Sequence, residues 1–93
     1  MVGGMEESLV KECKTMINEG ADTEDLEAMF EYHKTQLENV DWPYVLQKAY
    51  IHACLKKKAA LAQWLQDQFQ YIDPINQIAY RQTFAYGKHL LQK

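Results

Sequence analysis

The chain is short of the residues that interrupt or cross-link a fold, with two prolines, four glycines and two cysteines in 93 residues. So little Pro and Gly leaves small room for disorder. Cys13 and Cys54 lie far apart without a CxxC pair, which excludes a disulfide framework. The expectation is two buried thiols in a reducing, cytoplasmic compartment. Ser8 is the only serine and no GxSxG surrounds it, so a hydroxyl nucleophile has no support. Gly3-Gly4 is terminal while Gly20 and Gly87 stand alone, so no glycine-rich phosphate cradle forms. No apolar run is long enough to span a bilayer, and MVGGMEESL lacks the basic and apolar regions of a signal peptide. Residues 1–5 read as a disordered leader. An excess of positive charge is also missing: the net charge is −3 and the pI about 5.5, so the field that draws nucleic acid is absent.

The same scarcity applies to catalytic constellations. His33, His52 and His89 fall in different segments with no HxxxH spacing and no carboxylates placed to complete a metal site. Each reads as a surface or half-buried histidine. His52 and Cys54 are two apart, and residues two apart on a helix point in different directions, so they form no dyad. No enzymatic activity, cofactor or metal is expected.

What the chain has is helical periodicity. Leu9, Val10, Cys13, Met16 and Ile17 line one face of a helix over 6–19, and Gly20 stops it. Asp22 or Thr23 caps a second helix, over 23–38, with Leu26, Met29, Phe30, His33 and Leu37 on its buried side. Its acids, with Glu6 and Glu7, read as a solvated face. Asp41-Trp42-Pro43 starts a third helix over 43–55, and a fourth follows over 58–69 with Leu61, Ala62, Trp64, Leu65 and Phe69. Asp73-Pro74 reads as the N-cap of a fifth that contains Ile75, Ile78, Ala79 and Thr83 and breaks near Gly87. No window alternates with period two, so no sheet is predicted.

The segment Ala49–Leu65, AYIHACLKKKAALAQWL, places three lysines between two apolar stretches and predicts a helical hairpin. Thirty residues on, AYRQTFAYGKHLL lies over AYIHACLKKKAAL, with Ala, Tyr, Lys and Leu in matching places. A fixed period of this size is a mark of stacked hairpins. Ala53-Cys54, Lys57-Lys58 and Leu61-Ala62-x-Trp64-Leu65 resemble the inner-helix end, turn and outer helix of a divergent ankyrin repeat. Gly87 falls at the turn glycine of a second copy, and Met16–Asp22 is similar to the outer-helix end of an earlier unit. Lys57 stands where the family has glycine, and Lys48-Ala49-Tyr50-Ile51 replaces its Thr-Pro-Leu-His element.

The expected fold is therefore all-α, five or six short helices as stacked antiparallel hairpins, ankyrin-like over residues 41–93. A compact helical bundle is the alternative. Gly87 separates the two: a left-handed turn there favours hairpins, and helical hydrogen bonding through it favours the bundle. The resemblance implies a non-catalytic module that binds a protein or peptide through the inter-repeat loop and inner helices, at Tyr44, Lys48, Gln77 and Arg81. Trp42, Tyr44, Phe69 and Tyr71, aromatics near loop ends, are the other contact candidates. Under the bundle reading the protein is a small adaptor, chaperone or regulatory dimer. Partners are thus protein or peptide, with a possible homodimer, and no nucleic acid or membrane.

Overall fold

A computed structural model describes residues 4–93 as five α-helices and, among those residues, no strand. The helices are α1 (Gly4–Asn18), α2 (Thr23–Gln36), α3 (Trp42–Leu55), α4 (Ala59–Ile72) and α5 (Arg81–Gln92). A 3-10 turn, Gln77–Tyr80, leads into α5. The leader expected over 1–5 lies partly outside the described residues, and Gly4 and Met5 already belong to α1.

α3 is the hub, packed on α1, α4 and α5, while α2 lies against α4. The sequence of α3 explains this, because Val45, Leu46, Ala49, Tyr50, Ala53 and Cys54 are all buried and spread around much of its circumference. A helix apolar on one stripe meets one neighbour, whereas this one has room for three. Ala49 and Ala53 keep it thin where others cross it. α1 presents Leu9, Val10, Cys13 and Ile17 to the core, and Cys13 and Cys54 are both free, buried thiols. Burial pushes the Cys13 thiol up to about 12, so it stays protonated and inert.

The turns are built by two equivalent devices. After α1 the amide of Gly20 donates to Ile17 O (3.1 Å) and that of Ala21 to Met16 O (2.9 Å), with Gly20 at φ +87°. After α3 the amide of Lys57 donates to Cys54 O (3.1 Å) and that of Lys58 to Ala53 O (2.9 Å), with Lys57 at φ +61°. Both are Schellman motifs, whose left-handed position prefers glycine. At Lys57 a side chain occupies that position at a cost of about 1 kcal/mol. Its Nζ donates to the carbonyls of Leu90 and Lys93 at the C-terminal end of α5. A cation there contributes about 0.3–1 kcal/mol, which offsets much of the strain. The lysine thus turns one helix and caps another.

α2 opens with a capping box: Asp22 Oδ1 accepts from the Asp25 amide (3.0 Å) and Asp25 Oδ2 from the Asp22 amide (3.1 Å). Two of the acids read as a solvated face also tie elements together, and of these Glu6 is not solvated. Glu6 is buried and its Oε2 accepts from the Asp41 amide (3.1 Å), and Glu7 Oε1 accepts from the Tyr44 hydroxyl (2.5 Å).

The C-terminal quarter departs most from expectation. Asp73 caps the end of α4 rather than starting a helix, and the chain from Asp73 to Asn76 is irregular. Gly87 lies inside α5, where helix continues on both sides without a left-handed turn. The break expected at Gly87 is absent, and no sixth helix follows among the described residues.

Candidate functional site

The seven residues singled out from sequence do not form one surface. Phe69 leaves the set: it is 0% exposed at the centre of an aromatic cluster, its ring centroid 4.6 Å from Tyr80 and 5.1 Å from Phe84. Helix α4 runs three residues beyond Phe69, so the side chain sits on the inner face of a helix and not near a loop end. Gln77 is half-buried and its Nε2 donates to Phe69 O (3.0 Å) and Asp73 O (2.8 Å), which closes the end of α4. Its amide nitrogen is committed inside the fold.

Trp42 is half-buried, edge-on to Phe30 (5.7 Å), with Lys34 Nζ 5.9 Å above the ring. Phe30 in turn stacks on Trp64 (5.9 Å), so Trp42 belongs to the seam that joins α2, α3 and α4. Tyr44 and Lys48 are neighbours on α3, Nζ lying 5.6 Å from the ring centroid. The bond to Glu7, above all, raises the Tyr44 hydroxyl from its ordinary pKa. Only Tyr71, Lys48 and Arg81 are fully open to solvent. Tyr71 and Arg81 flank the α4–α5 connection, and Lys48 is on α3.

That connection holds two residues that sequence reasoning places in a fifth helix. Ile75 is 90% exposed and Ile78 is 76%, beside Tyr71 at 79%. Isolated surface apolars are ordinary, but three large ones within eight positions of chain are not. The segment that carries them is held by its own polar groups. Asn76 Nδ2 donates to both Asp73 carboxylate oxygens (3.1 and 3.2 Å), and the Tyr80 hydroxyl donates to Asp73 Oδ2 (2.5 Å). With Gln77 fastened to α4, Asp73 and Gln77 anchor the segment from both ends. Its isoleucines stand in water on a fixed frame instead of turning inward. The Asp-Pro signal hid this, because a helix starting at Pro74 would have put Ile75 and Ile78 on a buried stripe.

The frame sets two pKa values against each other. The Tyr80 hydroxyl bond, then Asn76, hold the Asp73 carboxyl below its usual range. Burial, and then Asp73, push the Tyr80 hydroxyl up to about 12. Because the folded chain keeps the Tyr80 proton more tightly than the unfolded one, through burial first and the Asp73 bond second, the stability linked to that proton is whole below pH 10 and is lost as pH rises through about 12. Urea unfolding across that window is expected to show falling stability, with a shallower fall in Tyr80→Phe. Equal slopes for the two proteins would sink the assignment of this pH dependence to the Tyr80 hydroxyl. On the acid side, the Asp73 contribution is lost as pH falls through its depressed value.

Among the described residues no three His, Cys, Asp or Glu side chains gather as a metal site. His33 Nε2 meets Glu12 Oε2 (3.0 Å) and His52 Nε2 meets Asn18 Oδ1 (2.8 Å), so both histidines tie α1 to its neighbours. No helix of the described residues is long and apolar enough to cross a membrane. Comparison with protein-family models, with curated proteins and with solved structures finds no match for the chain.

Proposed function

We propose that the protein is a non-catalytic protein-interaction module whose docking element is the α4–α5 connection, with Tyr71, Ile75 and Ile78 as apolar anchors. The observation that carries this is the pairing of exposure with the hydrogen bonds of Asp73, Asn76, Gln77 and Tyr80 that hold the connection. Anchors already fixed in place lose little conformational freedom on binding, which leaves more of the burial energy as affinity. The likeness to ankyrin repeats would put the contact at this same loop, Asp73–Asn76, although the unbroken helix through Gly87 departs from the hairpin of the second resembling unit. Arg81 is the exposed polar residue beside the connection, while Tyr44 and Lys48, the other contacts that the likeness implies, stand on α3. Two free, buried thiols accord with a reducing, cytoplasmic setting.

An affinity capture with the wild-type chain is expected to retain a protein or peptide partner that the Ile75→Asp/Ile78→Asp double variant loses. Both positions are exposed, so the thermal midpoint of the variant stays within a few degrees of wild type. Equal retention by both chains at matched stability would refute this docking element. A second reading, a helical-bundle adaptor, chaperone or regulatory protein that acts as a dimer, is favoured by the unbroken helix through Gly87.

A further inference from the structure

Charge is divided unevenly along the chain: eleven of its thirteen acids but only three of its ten bases precede residue 47. The division becomes sharp on two helices. α2 carries Glu24, Asp25, Glu27 and Glu31, and α5 carries Arg81 and Lys88 with no acid at all. On α5, Arg81, Phe84, Ala85 and Lys88 line a groove of about 390 Å³ together with Gln66 and Gln77, with no carboxylate in its wall. Neither cation has an ion-pair partner among the described residues. On α2, Glu24, Glu27, Ala28 and Glu31 are all exposed, and Glu31 alone has a cation near, Lys34 at 3.8 Å.

The two stripes share one spacing. Arg81, Phe84, Ala85 and Lys88 stand at i, i+3, i+4 and i+7, and so do Glu24, Glu27, Ala28 and Glu31. Positions so spaced share a helix face, with the outer pair roughly 10 Å apart along the axis. Two cations flanking a ring and a methyl thus meet three carboxylates, Glu24, Glu27 and Glu31, around a methyl, and the outer pairs match in length with opposite sign. Within one chain α5 packs on α3 while α2 packs on α4. The α2 stripe is exposed, as are Arg81, Ala85 and Lys88 on α5, while Phe84 is half-buried against Tyr50 and Phe69 and also lines the groove.

We infer that the α5 groove receives α2 of a second copy of this chain, Arg81 and Lys88 pairing with Glu24 and Glu31. This rests on the dimer reading and gives it a specific interface. Laid antiparallel, the helices oppose their dipoles and bring Ala28 onto the Phe84 ring, small against large. Exposed ion pairs are individually weak and screened by salt, so the association is modest and strongly salt-dependent.

Charge exchange tests this. In sedimentation equilibrium at roughly 20 mM salt the wild-type chain is expected to self-associate, and its association constant to fall at least about tenfold by roughly 500 mM. Arg81→Glu/Lys88→Glu and Glu24→Lys/Glu31→Lys, each alone, face like charge with like and are expected to remain monomeric. Mixed in equal amounts, these two chains regain a complementary pair and are expected to form heterodimers. All four positions are exposed, and circular dichroism of each variant checks that the fold is kept. A wild-type chain that stays monomeric at low salt, or variants that associate as well as wild type, would overturn the inference. If Ile75→Asp/Ile78→Asp abolishes self-association and the charge variants do not, the dimer reading survives and this interface does not.

Discussion

Replacing Gly87 by alanine is expected to destabilise the protein by about 2 kcal/mol or more, although alanine is the better helix former. A glycine inside a helix costs about 1 kcal/mol relative to alanine, so an open site in the middle of α5 would gain from the change. This site is not open. A Cβ on Gly87 would lie 2.6 Å from both Cζ and the hydroxyl oxygen of Tyr50, well inside van der Waals contact. Tyr50 cannot yield cheaply. It is almost wholly buried, its hydroxyl donates to Phe84 O (3.1 Å), and its ring meets that of Phe84 edge-on at 5.5 Å. Overpacking of this kind costs about 1–3 kcal/mol and sometimes more, and outweighs the propensity term. The background decides the sign. In Tyr50→Leu, which removes the ring, Gly87→Ala is expected to be neutral or stabilising by up to about 1 kcal/mol. A glycine held in a left-handed turn would instead resist alanine in either background. Urea unfolding of the four proteins of this cycle therefore separates a helix that needs a close approach from a hairpin that needs a turn.

Gly87 also shows why part of this fold is legible in sequence and part is not. Helices α1 to α4 follow from apolar spacing and local caps, since Gly20, the Asp22 box, Asp41 before Pro43 and the triple lysine all act on their own neighbours. Such signals survive folding because their partners lie within a few residues. The turn at Lys57 was foreseeable for the same reason, as Lys57 sits where the resembling repeat has glycine. Gly87 and Asp73-Pro74 mislead because their roles are set at a distance. Nothing near Gly87 in sequence announces that Tyr50, thirty-seven positions earlier, will press on it. Asp73 has the chemistry of a helix cap, but its carboxylate is taken by Asn76 and Tyr80, and the fifth α-helix begins only at Arg81. The exposure of Ile75 and Ile78 is hidden by that misplacement, and Phe69 enters the contact candidates wrongly, because a fourth helix ending at 69 leaves it at a loop edge.

Phe69 and Tyr71 supply the second large effect, as a contrast between aromatics two positions apart. Phe69→Ala is expected to cost about 3–5 kcal/mol, the usual range for a buried phenylalanine whose neighbours only partly close the cavity. A protein of this size holds roughly 5–14 kcal/mol in all, so the loss is at least a fifth and up to most of its stability. The damage spreads because the ring is shared. Tyr80 and Phe84 both rest on it, Phe84 joins it to Tyr50, and Tyr80 is the tether of the exposed connection through Asp73. Removing Phe69 therefore loosens both the α3–α5 contact and the frame under Ile75 and Ile78. Tyr71→Ala changes stability by no more than about 0.5 kcal/mol, as a side chain this exposed gives up little on truncation. Both variants should bind a partner of the α4–α5 connection less well, and the route separates them. Tyr71→Ala weakens binding at unchanged stability, whereas Phe69→Ala weakens it in step with the unfolded fraction. Thermal melts and partner titrations on the same samples distinguish these routes. Full stability in Phe69→Ala would mean that the aromatic cluster is not the joint between the core and the proposed docking element, and the fixed frame assigned to that element would fall with it.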